Sequence, residues 1–348
     1  MSPRYAPVGA PLSPTAPSGG LSLPSLVLLL FTALATVGFF GFHTTETLEL
    51  FTRRPHVIGV LHRRAVDVPR LQGQHVTIRE ERALEGDVVE HSESFAQYNT
   101  RTRGLRYRLQ NMKVLGDVKH LQQDALLVVV VLHDGASWGP NRTATEFFEL
   151  IGNFSHAKNQ TSVTLLTSDM AQFEAVKTRM RSIVPAYTQM TVIYRSDVTT
   201  PDETRRRARY RNFALLSTLE TWHEHVLWLE PDVYDVSDDL VTKMIDVRRD
   251  IVEPLCISSR SERFIQESNE TVSVRDELLP LDSVDGAVLY VRADVHRQGV
   301  LFPHHSVIGS EWDEEGYDGM EAQGLCYSAH FLGFLCWRLP SDIAFRVY

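Results

Sequence analysis

Residues 126–132 read LLVVVVL, and residues 225–232 read HVLWLEPD. A short apolar run dominated by valine is typical of a strand that is buried on both faces of a parallel sheet. Similar runs occur at 163–167 and 190–194, and segments with helical spacing of apolar residues separate the four runs. Strands that alternate with helices in this way predict an α/β fold with a mostly parallel sheet and helices on both faces.

The helix before the last of these strands has a marked start signal. Thr200 is a candidate N-cap, Pro201 suits the first turn and Glu203 completes a capping box. Beyond this start the helix is predicted to carry five arginines: Arg205, Arg206, Arg207, Arg209 and Arg211. Arginines four residues apart, such as Arg207 and Arg211, share a face, and guanidinium groups bind phosphates well. A solvated basic face is the alternative interpretation of the cluster.

Carboxylates follow three of the predicted strands: Asp134, Asp169 and the pair Glu230 and Asp232. In parallel sheets, ligands bind beyond the carboxyl ends of the strands. Two carboxylates separated by a proline can face one divalent cation, and magnesium and manganese bind through such groups together with substrate phosphates. That chemistry fits a nucleotide-diphosphate leaving group. An acidic turn is the alternative, because the Glu-x-Asp spacing alone is a weak signal.

The N-terminus predicts a membrane anchor. Residues 21–42 contain no charged side chain, and a helix of that length spans roughly 33 Å, enough for a hydrocarbon core of about 30 Å. Because the apolar core of a signal peptide is only about 7–15 residues long, an uncleaved anchor is favoured over a cleaved leader. The predicted order is a disordered cytoplasmic tail (1–20), the anchor (21–42), a stem with some helix near its end (43–122) and the sheet-bearing domain (123–348).

Four N-glycosylation sequons lie beyond the predicted anchor, at Asn141, Asn153, Asn159 and Asn269. The N-terminal flank of the apolar run carries Arg4 and no acid, whereas acids follow its C-terminal flank, which favours a cytoplasmic N-terminus. The sequons and the flanking charges together predict that the body of the protein is lumenal.

Charge and cysteine content exclude several classes of protein. The formal charge of -9 argues against a nucleic-acid binder, since binding a phosphate backbone requires a basic face. Three cysteines, Cys256, Cys326 and Cys336, are too few for a disulfide scaffold and allow one disulfide at most. Cys326 and Cys336 are the nearest pair in sequence.

Several segments resemble one known family. Residues 209–216 (RYRNFALL) and 228–233 (WLEPDV) are similar to the Arg-Asn helix and the DxD strand of fungal Golgi α-mannosyltransferases of the mannan-polymerase type, glycosyltransferase family 62. Residues 281–299 and 315–327 also resemble signatures of that family. The resemblance covers residues 124–346, and its segments are longer and more specific than the Glu-x-Asp spacing.

The resemblance implies a GT-A fold for the catalytic domain, a GDP-mannose donor, Mn²⁺ and retention of anomeric configuration. It also implies a type II Golgi membrane protein that acts on a glycan acceptor of a glycoprotein and associates with other mannosyltransferase subunits. Glu230 and Asp232 are implied metal ligands, and Glu321 and Asp282 are implied catalytic residues on the acceptor and donor sides. The residues implied to lie near the nucleotide are Asp134, Asp169, Arg209, Arg211 and Asn212.

The chain departs from the family pattern at three positions. Glu230 replaces the first acid of DxD, Gln323 stands where a second glutamate is common, and Arg346 stands where a histidine completes the metal site. Two hypotheses therefore remain: an active retaining mannosyltransferase, or a non-catalytic or weakly catalytic subunit of a mannosyltransferase complex. A soluble hydrolase with paired acids is a third, and it predicts a cleaved N-terminus.

Overall fold

The computed structural model describes residues 64–66, 77–84, 86–97, 100, 102–117, 124–133, 137–258, 278–305, 319–340 and 344–347. These residues belong to one compact unit, Gly59–Tyr348. The predicted tail and anchor, 1–42, lie outside the described residues, as does Asp134. Among the helices that are described, none combines the length and the hydropathy needed to cross a membrane.

The described strands, numbered in chain order, are β1 (Arg64–Val66), β2 (Thr77–Ala83), β3 (Val88–Ala96), β4 (Arg103–Asn111), β5 (Leu126–Leu132), β6 (Thr161–Thr167), β7 (Gln189–Tyr194), β8 (His225–Leu229), β9 (Val233–Val236), β10 (Ile251–Glu253), β11 (Leu255–Ser258), β12 (Leu279–Leu281), β13 (Val288–Arg292), β14 (Cys336–Arg338) and β15 (Ala344–Val347). The described α-helices are α1 (Met112–Leu115), α2 (Ala144–Asn153), α3 (Met170–Ile183), α4 (Glu203–Thr218), α5 (Leu240–Asp246), α6 (Ala293–Arg297) and α7 (Ala322–Phe331).

The four strands predicted from apolar runs form the parallel centre of the large sheet. Strand β5 pairs in parallel with β6 on one side and with β8 on the other, and β6 pairs in parallel with β7. All seven side chains of β5 are buried, as expected for a strand covered on both faces. The α/β class and these four strands are therefore confirmed.

Antiparallel strands flank this centre, so the described sheet as a whole is mixed. Its order is β1-β2-β3-β4-β7-β6-β5-β8-β13-β10-β14-β12. Both β4 beside β7 and β13 beside β8 run antiparallel to their central neighbours. The expectation of a mostly parallel sheet thus holds for the central strands, whereas the flanking strands pair antiparallel except for the parallel pair β10 and β14.

The interpretation of residues 43–122 as a stem is wrong for residues 77–111. Strands β2, β3 and β4 form an antiparallel meander that joins the main sheet through β4. Their charged side chains form cross-strand pairs, and Arg106 Nη1 lies 3.0 Å from Glu93 Oε2. Because charged residues occur on both faces of β2 and β3, the period-two apolar pattern that marks a half-buried strand is missing there, whereas β4 carries it at Leu105, Tyr107 and Leu109. The helix expected near the end of this region matches α1.

Two apolar cores lie on the opposite faces of the sheet. Alternate residues of β5 enter each one, with Val128 in the core on the α2 and α3 side and Val129 in the core on the α4 and α7 side. A disulfide joins Cys326 of α7 to Cys336 of β14, which is the pair nearest in sequence. A smaller sheet, β11-β15-β9, lies beside the end of β8.

Candidate functional site

The strand order reverses direction between β5 and β8. The chain builds β5, β6 and β7 outward on one side and then returns to place β8 on the other side of β5. In open α/β sheets the crevice at the carboxyl ends of such a pair is where ligands bind. His133 follows β5 at this point, and Glu230 and Asp232 follow β8. The position of the predicted site in the fold agrees with that rule.

Helix α4 begins two residues after the expected start. Its N-cap is Asp202, whose carboxylate accepts a hydrogen bond from the Arg205 backbone N–H at 3.1 Å. The prediction of Thr200 as the cap is therefore wrong, because the carboxylate of Asp202 reaches the first turn and also forms an ion pair with Arg205 at 3.5 Å. The helix packs against β5 and β6, which places its arginines near the strand ends.

Arg207 and Arg211, four residues apart, form a network with two glutamates. Arg211 hydrogen-bonds Glu230 through Nη2, and its Nη1 lies 2.6 Å from Glu321 Oε1. Arg207 lies 3.7 Å from Glu230 Oε1 and 3.4 Å from Glu321 Oε2. Arg211 and Glu321 are only 3% and 2% exposed. Removing one member of such a buried pair leaves an uncompensated charge and costs about 3–5 kcal/mol.

A glycine in the segment before β13 lets Arg211 approach the backbone. The Arg211 guanidinium donates to the Gly286 carbonyl at 2.9 Å. Gly286 has φ +83, and a Cβ there would lie 2.5 Å from the Ala322 Cβ and 2.9 Å from Arg211 Nη1. Only glycine combines this left-handed conformation with so close an approach. The buried Glu253 carboxylate accepts from the backbone N–H groups of both Asp285 and Gly286, at 2.7 and 2.9 Å, and holds the segment in place.

Asp232 is a half-buried carboxylate with two acids nearby. Burial, followed by the charge of Glu230, raises the pKa of Asp232 to about 6, and Asp285 contributes in the same direction. Arg207 acts in the opposite direction but does not cancel this effect. Glu230 already has two arginine partners. Within the described residues neither Asp232 nor Asp285 forms an ion pair with an arginine or a lysine, and the Asp285 side chain hydrogen-bonds the Cys256 thiol. Oxygen ligands of this kind suit Mn²⁺ or Mg²⁺.

The implied catalytic residues lie in different surroundings. Both carboxylate oxygens of Glu321 face arginines, and the side chain is buried, so the geometry makes it an arginine partner rather than a group open to an acceptor. Asp282 is exposed in the segment after β12.

The residues implied to lie near the nucleotide also have different surroundings and do not form one cluster. Arg209 is exposed and donates to the Thr200 hydroxyl at 3.1 Å. The Asn212 side-chain amide hydrogen-bonds both the N–H and the C=O of Phe302, at 2.9 and 2.7 Å. The amide is therefore engaged with the backbone. Asp169 caps α3 by accepting from the Ala171 N–H at 2.7 Å. Among the members of this group that the structure describes, only Arg211 directly contacts Glu230; Asp134 lies outside the described residues.

Sequence reasoning left two site residues, His133 and Asp285, without a role. His133 is buried, its ring stacks on Tyr210 with centroids 6.3 Å apart, and burial lowers its pKa. Arg207, which the sequence grouped with Arg211 on one face of the helix as a candidate phosphate ligand, completes the ion-pair network. Asp285 adds its negative charge to that around Asp232, and no local pattern in the sequence marks that proximity.

The C-terminal strand places Arg346 beside the strand that follows Asp232. Strand β15 pairs antiparallel with β9, with Arg346 opposite Asp235. Arg346 Nε lies 3.7 Å from Asp235 Oδ2. The position at which the resemblance expects a histidine is therefore close to the Glu230-Pro231-Asp232 segment, and the arginine there forms an ion pair with an acid on the neighbouring strand.

Comparison with known proteins finds similarity to the Anp1 family. The family model, described as Anp1, matches residues 188–271. Mannan polymerase complex subunit mnn9 of Schizosaccharomyces pombe is 25% identical over an alignment that covers 40% of this chain and 50% of that protein. The chain thus aligns with about half the length of this curated relative.

Two solved structures show weak similarity in chain path. Mannosyltransferase PcManGT from Pyrobaculum calidifontis, in complex with GDP-Man and Mn²⁺, has a TM-score of 0.42 and 12% identity, and covers 68% of this chain and 63% of its own. TarS 1–349 of S. aureus, in complex with UDP, has a TM-score of 0.39 and 13% identity, with coverages of 64% and 60%. Both scores are too low to support an argument about fold or function. The segment that matches Anp1 contains Arg211, Glu230 and Asp232.

Proposed function

We propose that this chain is a glycosyltransferase that moves a mannosyl group from GDP-mannose to a mannan or glycan on a glycoprotein, with retention of anomeric configuration. The similarity to the Anp1 family and to mnn9 supports a role of the mannosyltransferase type. The parallel centre with a reversal of strand order between β5 and β8 supports the GT-A fold that the resemblance implies. The donor, the stereochemistry and the acceptor are parts of the proposal.

The half-buried carboxylate of Asp232, which follows the carboxyl end of β8 beside Glu230 and the arginines of α4, is the observation that carries the proposal. A half-buried carboxylate with a pKa raised to about 6 is unfavourable in the unliganded fold. A cation beside it would remove that cost. The arginine-rich face of α4 adjoins the same segment, and arginines bind phosphates. A cation site next to a phosphate-binding face is what a nucleoside diphosphate requires.

Asp232 and Asp285 are the residues that would hold Mn²⁺. The cation, when bound, supplies positive charge that balances the diphosphate as it leaves. In this arrangement Glu230 is not a metal ligand, because its carboxylate is committed to Arg207 and Arg211. This differs from the implied pair of ligands, Glu230 and Asp232. The acidic motif would then act through Asp232 alone, and Asp285 would be the second carboxylate.

The side chains of the network have separate tasks in this mechanism. Arg207, whose side chain is 34% exposed, can donate to the departing phosphate. Arg211 is buried and holds Glu230 and the Gly286 carbonyl, which keeps the segment bearing Asp285 in place. The bond from the anomeric carbon to the phosphate oxygen breaks as a bond to the acceptor oxygen forms. The acceptor hydroxyl loses its proton to the phosphate oxygen that leaves.

A type II location in the Golgi membrane with a lumenal body is part of the same proposal. Its support is the apolar run at 21–42 together with the sequons. Asn141, Asn153 and Asn159 are exposed, as glycosylation acceptors must be. The fourth sequon, at Asn269, lies outside the described residues.

Release of GDP from GDP-mannose by the purified chain, measured with and without Mn²⁺ and an α-mannoside acceptor, tests the activity. We expect Mn²⁺-dependent release that Asp232→Asn and Asp285→Asn each reduce by at least tenfold. Asp238→Asn is the matched control, since Asp238 is an exposed acid shortly after the same motif. Unchanged turnover in Asp232→Asn would rule out the metal role, and anomeric analysis of the product by NMR checks retention.

A second candidate function is a non-catalytic subunit of a mannosyltransferase complex. The observation that favours it is the pairing of both Glu230 and Glu321 with arginines, which leaves neither acid open. In that case the chain would show no thermal shift with GDP and Mn²⁺ but would co-purify with other transferases. A thermal shift with GDP and Mn²⁺ that Asp232→Asn abolishes favours the active enzyme.

A further inference from the structure

The edge of the sheet opposite the proposed donor site has a second cluster of metal-binding groups. Asp124 precedes β5, and Glu224 and His225 lie at the start of β8, so all three belong to the amino ends of the central strands. The ligating atoms of these three residues lie within 4.8 Å of one another. Glu230 and Asp232 follow the carboxyl end of β8, so the two groups lie at opposite ends of that strand.

We propose that Asp124, Glu224 and His225 form a second divalent-cation site, with one imidazole nitrogen and two carboxylates as ligands. Mixed nitrogen and oxygen ligands of this kind suit Zn²⁺ and Mn²⁺. A cavity of about 500 Å³ adjoins the three side chains and leaves room for water to complete the coordination. The site belongs to neither the Glu230 segment nor the arginines of α4.

The imidazole of His225 is held in the orientation that a ligand needs. The residue is 9% exposed, and its Nδ1 lies 2.7 Å from the hydroxyl oxygen of the fully buried Tyr290. With Nδ1–H donating to Tyr290, the Nε2 lone pair points toward the carboxylates. Its contact there is a long one, 3.4 Å to Asp124 Oδ1. Such a partner on the far nitrogen is the usual support of a metal-bound histidine. Burial lowers the pKa of His225, which favours the neutral, ligating form.

The two carboxylates are also placed by the backbone. Asp124 has φ +54, a left-handed conformation that is uncommon for a residue other than glycine. Its N–H donates to Glu224 Oε2 at 3.2 Å, and the N–H of Glu224 donates to the Ala125 carbonyl at 2.8 Å. Within the described residues, neither carboxylate forms an ion pair with a lysine or an arginine.

Two of the three arginines that line the same cavity have other partners. Arg292 lies 3.2 Å from Asp250 and 2.6 Å from Asp294. Arg297 donates to the backbone carbonyls of Glu220 and His223 at 2.8 and 2.6 Å. The third, Arg248, is exposed. Because none of the three forms an ion pair with Asp124 or Glu224 within the described residues, the negative charge of these carboxylates is available to a cation. Bound there, the cation would tie the start of β5 to the start of β8.

Calorimetric titration of the chelator-treated full chain with Zn²⁺ alone and with Mn²⁺ alone, without nucleotide, tests the proposal. The Asp232→Asn background removes the other proposed site, so that one Zn²⁺ per chain is expected there. Asp124→Asn and Glu224→Gln in that background should each weaken binding at least tenfold. Asparagine tolerates the left-handed conformation at position 124. Tyr290→Phe should weaken binding by about 10–100-fold through loss of the histidine's support.

Asp246→Asn is the matched control, because Asp246 is an exposed acid that lines the same cavity outside the cluster. Its Zn²⁺ affinity should equal that of the background. Zn²⁺ should also raise the melting temperature of the background protein but not of its Asp124→Asn derivative. Absence of Zn²⁺ binding in the background, or equal losses in Asp246→Asn and Asp124→Asn, would overturn the proposal. GDP-mannose turnover by Asp124→Asn should stay at the wild-type level, so failure here is separable from failure of the proposed function.

Discussion

Arg211 Nη1 lies 2.6 Å from Glu321 Oε1, and both side chains are almost completely buried. Arg211 lies in α4, and Glu321 immediately precedes α7. The ion pair therefore joins these two helices near the carboxyl end of β8. Glu321 adopts φ +58, a backbone conformation that costs a non-glycine residue of order 1–3 kcal/mol. The surrounding fold therefore keeps Glu321 in a backbone conformation that is locally unfavourable, and the ion pair with Arg211 helps to stabilise that conformation.

Loss of this ion pair should destabilise the protein strongly. Glu321→Ala leaves Arg211 buried and with one fewer carboxylate, so we expect unfolding to become easier by about 3–5 kcal/mol. Urea denaturation of the purified chain measures the change. Glu174→Ala, which removes the exposed partner of Lys177, is the control and should cost less than about 1 kcal/mol. Equal effects of the two substitutions would contradict the structural role of Glu321.

Asp232 should make the metal-free protein less stable as the pH rises. Its pKa is about 6 in the folded protein against 3.8 for the free side chain, so the folded state keeps a proton that the unfolded chain releases. Stability is therefore lost as the pH rises from 3.8 through about 6. In EDTA at neutral pH, Asp232→Asn should be more stable than the wild type, on the order of 1 kcal/mol after allowance for solvent screening.

The same comparison below pH 3.8 supplies the control, because the Asp232 carboxyl group is then protonated in both the folded and the unfolded wild type. The stability difference between Asp232→Asn and the wild type should vanish there. A difference that is independent of pH would show that the charge of Asp232 is not its cause. Addition of GDP and Mn²⁺ at neutral pH should reverse the order, since only the wild type keeps the carboxylate that binds the cation.

Asn212 should matter for stability rather than for donor binding. Its amide forms two hydrogen bonds with the Phe302 backbone, and leaving those groups without partners costs about 1–3 kcal/mol. Asn212→Ala should therefore lower the free energy of unfolding by that amount with little change in the KM for GDP-mannose. Arg209→Ala should change neither stability nor KM, because Arg209 is exposed. A large rise in KM in Asn212→Ala would restore the nucleotide-binding role that the resemblance implies.

Exposed sequons should carry glycans if the body of the protein is lumenal. Asn141, Asn153 and Asn159 are exposed, so single Asn→Gln substitutions should each remove one step of the mobility shift that peptide N-glycosidase produces on a gel. Ser155→Ala, which destroys the Asn153 sequon without changing the asparagine, should match Asn153→Gln. A chain made in cells that shows no shift at all would contradict the lumenal location.

The sequence by itself determined the centre of this fold. Apolar runs such as 126–132 are local signals, and burial on both faces follows from their composition, so β5 and β8 were predictable with their exact bounds. The same local logic located the acids that follow β8. The meander was less accessible to local reasoning, because β2 and β3 carry charged residues on both faces and are recognisable as strands only through their pairing; β4 alone has an alternating apolar pattern, at Leu105, Tyr107 and Leu109.

Only the tertiary structure decided which of the acids form ion pairs with arginines. Arg211 contacts Gly286, 75 positions away in the sequence, and Glu321, from a still more distant part of the chain. No periodicity records such contacts, because they depend on how α4, α7 and the segment before β13 pack together. The sequence therefore identified Glu230 and Asp232 as a pair, whereas packing gave them different surroundings. Glu230 forms ion pairs with Arg207 and Arg211, while burial and the nearby charge of Glu230 raise the pKa of Asp232.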